Sequence, residues 1–481
     1  MLPAGRFEKE KDYLTANLLK IMHSSRLVGK GNQNMKPPSS STKQSEIISD
    51  IAIKFLYGSF LALLLVLPFH AFLTTWLGAE FGARDIFRSW KEILLVLMSV
   101  SAFWLFVKDT KLRTFALSYK LNWLIVAYII LNLLYAIFFS TEIDQELMGL
   151  KLNIGFLLVF LLTQIVGFYY SDVSHLKLII RIILFGSAAV AAFAVLQAWV
   201  LPPDFLTHFG YGPETIEPFL LIQDSSEIRV ISTLDGPSQL GQFLIFPIAL
   251  SVFYFIKKRD YRYVILTVLL MAGQYVSHSR SAWIGAIIAV SIVVAMSVNR
   301  KTLTMLALLG LMISVLGAAI IIPRLDDSKN LQAIILHSNY EKSLTASSNS
   351  DHLILANRGL SEVKKTPFGR GPGTAGPASF LADEVKRRII TENYYIQLAI
   401  ELGVLGCLMF ITIIVWLGRK LFAISRSHEL AVPIFASLIA LSFVGLLLHV
   451  WASTIVALIF WATAGYAISI QTKKATQTSK F

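Results

Sequence analysis

The chain has one cysteine in 481 residues. Cys407 lies in an apolar run, so an intrachain disulfide and a multi-cysteine metal site are both excluded. Charge is scarce too: Asp, Glu, Lys and Arg make up 15% of residues, less than the surface of a soluble domain needs. Acidic residues are the scarcer sign, 30 against 43 basic. His278, His337 and His352 share no ligand spacing, and the acidic pair Asp144 and Glu146 reads equally well as a solvated loop, so no metal is expected. No phosphate-binding Gly-x-x-x-x-Gly-Lys loop and no Gly-x-Ser-x-Gly elbow occurs, which leaves nucleotide-driven and serine-hydrolase chemistry without support. No cleavable signal peptide is visible ahead of the first apolar run, near Ile51.

Hydrophobic residues, by contrast, make up 55% of the chain. Apolar runs of about 18 to 25 residues recur, the length that crosses a bilayer core as helix. They lie at roughly 53–77, 91–107, 121–140, 152–170, 177–200, 236–256, 262–277, 281–298, 302–322, 393–417, 430–449 and 452–470, about twelve helices by the periodicity rules. The expected fold is all-α, a polytopic membrane helix bundle. Residues 1–50 read as a polar, basic, disordered cytoplasmic tail, 51–470 as the membrane domain and 471–481 as a second cytoplasmic tail. The net charge of +13 suits cytoplasmic loops and anionic headgroups, with membrane lipid rather than nucleic acid as the partner.

The loops alternate in charge. Lys108/Lys111/Arg113/Lys120, Lys257/Lys258/Arg259/Arg262, Arg300/Lys301, Arg419/Lys420/Arg426 and Lys473/Lys474 form one set; Glu142/Asp144/Glu146 and the acidic loop 201–235 belong to the other. The positive-inside rule puts the basic set and both termini in the cytoplasm. The loop 201–235, the large loop 323–392 and the junction Ser277-His278-Ser279-Arg280 then face outward.

The stretch 357–406, NRGLSEVKKTPFGRGPGTAGPASFLADEVKRRIITENYYIQLAIELGVLG, organises the rest. It holds a Pro/Gly turn cluster from Pro367 to Pro377, whose glycine amides can approach an anion. A basic helix candidate with Lys386, Arg387 and Arg388 follows, then Thr391-Glu392-Asn393 at the mouth of an apolar helix. Arg229, Arg280, Arg358 and Glu392 all fall on the outward side. Arginine grips phosphate oxygens through paired, charge-assisted hydrogen bonds, and a carboxylate takes a proton from an attacking hydroxyl. Glu392, expected in the first turn of its helix, is held in the ionised form there, ready as a base but weakened as one. Each residue also has a plainer use: an outward arginine contacts headgroups or an ion-pair partner, and Thr391-Glu392 is an ordinary helix start. Glu401, about two turns deeper, is the competing carboxylate.

Three segments resemble the O-antigen ligase/O-antigen polymerase-like superfamily of bacterial envelope enzymes. RVISTLDGPSQLG (229–241) is similar to an arginine followed by Gly-Pro-Asn-x-x-Gly, with Ser238 in place of Asn. SRSAWIGA (279–286) is similar to a Ser-Arg-x-x-Trp helix start. Within 358–406, TPFGRGPG resembles the Pro-x-Gly-x-Gly turn, and ENYYIQLAIELGVLG resembles the His-Asn-x-Tyr-Leu helix. The resemblance covers roughly 229–415 and implies a GT-C-like, metal-independent, cofactor-free glycosyltransferase in the bacterial cytoplasmic membrane. Such an enzyme takes glycan from a polyprenyl-diphosphate carrier and gives it to an acceptor hydroxyl on a glycan, lipid or other molecule. It further implies that Arg229 and Arg358 hold the diphosphate and that Glu392 takes the position of the histidine base. Arg280, Arg370, Gly371, Gly373, Asn393 and Tyr395 are the further substrate-binding candidates. Glutamate in place of histidine favours a polymerase over a ligase.

Two other classes remain open. A transporter or flippase for a lipid-linked glycan would carry ionisable groups and broken helices near the midplane, often in repeated halves; the spans hold few charges (Lys54, Arg181, Glu401) and no internal repeat is seen. A non-catalytic scaffold would not need Arg229, Arg280, Arg358 and Glu392 on one side.

Overall fold

The computed structural model describes residues 40–139, 142–221, 227–305, 348–382, 388–428 and 430–478. The chain divides into two units, residues 1–50 and 51–481. In the first, the described residues 40–50 are helical, where the composition suggests disorder.

The helices are α1 (Ser40–Val66), α2 (His70–Phe81), α3 (Arg84–Arg88), α4 (Trp90–Lys108), α5 (Thr110–Ser118), α6 (Lys120–Phe138), α7 (Ile143–Tyr169) and α8 (Val173–Trp199), followed by α9 (Pro237–Lys258), α10 (Arg262–Tyr275), α11 (Arg280–Ser297), α12 (Ser348–Lys365), α13 (Tyr394–Ile424), α14 (Ala431–Val444) and α15 (Thr454–Thr478). Eight spans among the described residues are long and apolar enough to cross a membrane. Helix is the natural element here, because it satisfies every backbone polar group internally where lipid cannot. Large apolar side chains face outward (Phe103, Ile137, Phe185, Ile287) while Asn132, Asn153 and Thr163 are buried, the reverse of a soluble protein. The chain is an all-α multi-pass membrane protein.

Each expected span except 302–322 coincides with a helix; most of that one lies outside the described residues. Two are shorter than expected. α10 and α14 have 14 residues each, about 21 Å of helix against a core of about 30 Å. The C-terminal helix runs to Thr478, so the expected tail at 471–481 is largely helical. The only described strands, β1 (Phe219–Leu221) and β2 (Ile228–Val230), pair antiparallel with Leu220 opposite Arg229.

The core is built where α15 packs along α7. Phe156, Phe160, Trp451, Phe460 and Trp461 interlock there in tilted and edge-on contacts. Asn122 on α6 and Gln164 on α7 exchange hydrogen bonds of 3.1 and 2.9 Å, a polar tie of the kind membrane helices use.

α13 is a broken helix. Gly403 has φ 70° and ψ 176°, so two helices meet end to end. The break frees carbonyls and an amide, and the turn cluster fills it. Arg370 N donates to Ile400 O at 2.8 Å, Gly371 N donates to Glu401 O at 2.9 Å, and Val404 N donates to Pro367 O at 3.0 Å. A Cβ at Gly403 would collide with Phe368 backbone atoms, and one at Gly369 with Gly403 N. Glycine is needed at both places for the positive φ and for the close approach.

Candidate functional site at one end of the bundle

The contacts at the helix ends define a common face. Gln274 near the end of α10 donates from Nε2 to Gly241 O at the start of α9 (3.0 Å) and to Ala282 O at the start of α11 (3.2 Å). α11 packs on α14, with Gly285 against Val444. The residues just past α14 receive the start of α13: Tyr394 N donates to Gly445 O at 2.9 Å, and Asn393 Nδ2 to Leu446 O at 2.9 Å. The start of α7 lies under the turn cluster, where Gln145 Nε2 donates to Gly373 O at 2.8 Å. The starts of α7, α9, α11 and α13 therefore share one end. The basic residues Lys120, Lys257, Lys258, Arg419 and Lys420 sit at the other ends of the helices they belong to or, for Lys120, of the helix that leads into α7.

At this end Arg229 leaves β2 and reaches the 277–280 junction. Its Nε donates to Ser277 O (3.3 Å) and its NH2 to Ser238 Oγ (3.4 Å). Ser238 thus fills the place where the resemblance has Asn. Burial first, and then the charge of Arg280, push the Arg229 guanidinium below its ordinary value, which puts the two arginines within each other's field. His278, buried in the junction, is lowered by burial and by Arg229, with Glu227 opposing. Two guanidiniums that repel one another in this way favour a bound anion, whose charge offsets that repulsion.

Glu392 lies beside the start of α13 rather than inside it. Asn393 is the N-cap, its side-chain oxygen accepting from Tyr395 N and Ile396 N at 3.0 Å each. Glu392 precedes the cap with φ 48°, a left-handed conformation uncommon for a side chain of this kind. The expectation that it opens the first turn is thereby corrected: Asn caps better than Glu because its short side chain reaches the first free amides. Glu392 acts electrostatically on His449, which stands in the turn leading to the short 3-10 segment Val450–Ala452.

The remaining candidates divide. Arg358 is exposed on α12, next to Gly359, which packs against Thr391, the neighbour of Glu392 in the chain, and against Ile396. Arg370 is exposed and paired to Glu362 at 3.1 Å. The amide of Gly371 is used on Glu401 O, and that of Gly373 on the Glu401 carboxylate. Tyr395 Oη donates to Ser442 O at 2.9 Å. The glycine amides expected to approach an anion are thus engaged within the chain, because a broken helix presents acceptors that must be met. Arg388 lies in irregular structure and donates to Ala382 O (3.3 Å); Lys386 and Arg387, the rest of the basic helix candidate, lie outside the described residues.

Glu401, the competing carboxylate, is fully buried. Asn153 Nδ2 donates to it at 2.6 Å and Gln397 Nε2 at 3.1 Å, and the amides of Gly373 and Ala375 also point at it. It ties α7, α13 and the turn together.

Two groups escaped the sequence reading. One is His449. The other joins the starts of α2 and α4 to α7: Lys91, 2% exposed, lies 2.7 Å from His70 Nε2 and 3.4 Å from Glu92 Oε1, Trp90 Nε1 donates to His70 Nδ1 at 2.9 Å, and Lys151 pairs with Glu92. The available signal was an ionisable residue at the edge of an apolar run, in WKEILL and LLLHVW, which is a functional candidate by default.

Residues 264–411 match the family model described as O-Antigen ligase. This range contains Arg280, Arg358 and Glu392 and stops short of Arg229. The chain is also similar to a protein of Salmonella muenchen named "O-antigen polymerase", 24% identical over 314 residues, which covers 63% of this chain and 75% of that one.

Proposed function

We propose that this chain, which resembles the O-antigen ligase/O-antigen polymerase-like superfamily, is a membrane glycosyltransferase of the bacterial cytoplasmic membrane. It takes glycan from a polyprenyl-diphosphate carrier and transfers it to an acceptor hydroxyl, with polymerisation favoured over ligation. The observation that carries this reading is the hydrogen bond of Arg229 to Ser277 O, which brings it to the junction that ends in Arg280, at the bundle end that also holds Glu392. Arg229, Arg280 and Arg358 hold the diphosphate, whose negative charge grows as the glycosidic bond breaks; fixed guanidiniums stabilise that charge without reorganising. Glu392 supplies the carboxylate that works on the acceptor hydroxyl. Arg370, Gly371, Gly373, Asn393 and Tyr395 support the site through the scaffold bonds described above. The face opposite the basic loops is the outer one.

The test is turnover of a purified lipid-linked repeat unit by the purified protein in nanodiscs. Elongated glycan with release of carrier diphosphate is expected, and Arg229→Lys loses most of that activity, because lysine keeps the charge but not the planar fork. Translocation of the donor without any new glycosidic bond would make the protein a flippase. Impermeant thiol labelling of Ser361→Cys but not of Ser118→Cys, both exposed positions, in a Cys407→Ala background checks the orientation; the opposite pattern would reverse it.

A further inference from the structure

The turn after α14 brings an imidazole to the site that the proposed chemistry has not yet used. Two backbone-anchored bonds, Tyr394 N to Gly445 O and Asn393 Nδ2 to Leu446 O, fasten this turn to the residues next to Glu392. His449 follows three residues later. Its Nδ1 is buried with no hydrogen-bond partner among the described residues, while the residue as a whole is only half-buried and so remains within a ligand's reach. A buried ring nitrogen left without a partner is costly unless a ligand or water completes it. Glu392, on left-handed backbone, is the only charged group among the described residues whose field acts on the ring. Strained backbone at such a place points to a side chain whose position matters more than local comfort.

We infer that His449 receives the proton of the acceptor hydroxyl, with Glu392 as its carboxylate partner, so that the base is a pair drawn from two separate elements. This rests on the glycosyl transfer proposed above. The acceptor O–H bond breaks and its proton passes to the imidazole. The oxygen forms the new bond to the anomeric carbon, the bond from that carbon to the diphosphate oxygen breaks, and the electron pair leaves with the diphosphate. The imidazolium then returns its proton to the released diphosphate or to water. Burial holds the free imidazole down to about 4, partly offset by Glu392, so the lone pair is available at neutral pH. The imidazolium that forms carries a charge which Glu392 neutralises, as a carboxylate does for an imidazole in hydrolases.

The experiment compares His449→Gln, His449→Asn, Glu392→Gln and the His449→Gln/Glu392→Gln double variant in the full-length protein, using the lipid-linked repeat unit as donor. Each histidine variant is expected to lose roughly 100- to 10,000-fold in kcat, with KM for the donor and Tm close to wild type. The double variant is expected to fall no further than the weaker single one, because members of one unit are not additive. Near-normal kcat in either histidine variant, multiplicative losses in the double variant, or unfolding of both histidine variants overturns the inference. Failure of the glycosyl-transfer reading shows separately, as wild-type protein without turnover.

Discussion

Glu392 and Glu401 lie nine positions apart on one segment, and the fold treats them oppositely. Glu401 sits at 0% exposure with its carboxylate met by Asn153, Gln397 and the amides of Gly373 and Ala375. Every one of those donors belongs to the scaffold, and together they pin the turn cluster into the break at Gly403. Glu392 sits at the end of the bundle, half-buried, on left-handed backbone, beside the turn that carries His449. A carboxylate whose acceptor sites are filled by the chain has little capacity left for a substrate proton. One placed at a strained position on a shared face, with arginines on neighbouring elements, is arranged for a ligand. Depth in the membrane alone does not mark the functional acid; the direction in which its hydrogen bonds run does.

The largest effect that sharpens this contrast is expected at Glu392. Glu392→Gln keeps shape and some hydrogen bonding but cannot share a proton. If the residue belongs to the base, turnover of the lipid-linked donor falls by roughly 100- to 10,000-fold while thermal unfolding stays at the wild-type temperature. Because Asn393, not Glu392, is the N-cap, the loss of about 0.5–2 kcal/mol that accompanies removal of a cap is not expected here. A well-folded Glu392→Gln protein with normal turnover breaks the comparison from this side.

Much of the membrane architecture was legible in the sequence, because crossing a bilayer imposes a length and a composition that a reader can count. Arg229, Arg280 and Glu392 were legible too, as ionisable residues beside span ends. What the sequence hid follows from contacts distant in the chain. Glycine amides in TPFGRGPG look the same whether they meet a phosphate or the carbonyls of a broken helix, and only the partner positions (Ile400 and Glu401) decide. Gly403 reads as one small residue in an apolar run, although its φ of 70° splits the helix. His449 stood inside an expected span of 430–449, and the helix ends at Val444, which moves the histidine into the turn that faces Glu392. The pairing of Lys91 with His70 and Glu92 joins separate helices, and no local pattern announces it.

The smaller effect is expected at Glu401, and it differs in kind. Glu401→Gln leaves a side chain of the same shape whose amide end is itself a donor. Four groups now point donors at the carboxylate: Asn153 Nδ2, Gln397 Nε2 and the amides of Gly373 and Ala375. One glutamine oxygen cannot accept from all of them, and its NH2 must face at least one other donor. A buried polar group left without a partner costs about 1–3 kcal/mol, and the cost falls on the seam between α7, α13 and the turn. Thermal unfolding should therefore move to lower temperature, and the turn should become easier to cleave with protease. The folded fraction should still turn over, since Arg229, Arg280, Glu392 and His449 do not depend on the Glu401 proton. Measuring Tm and kcat on the same preparation separates the two acids. Glu401→Gln with unchanged Tm and lost kcat would transfer the base to the buried carboxylate, reverse the comparison, and leave the strain at Glu392 without an account.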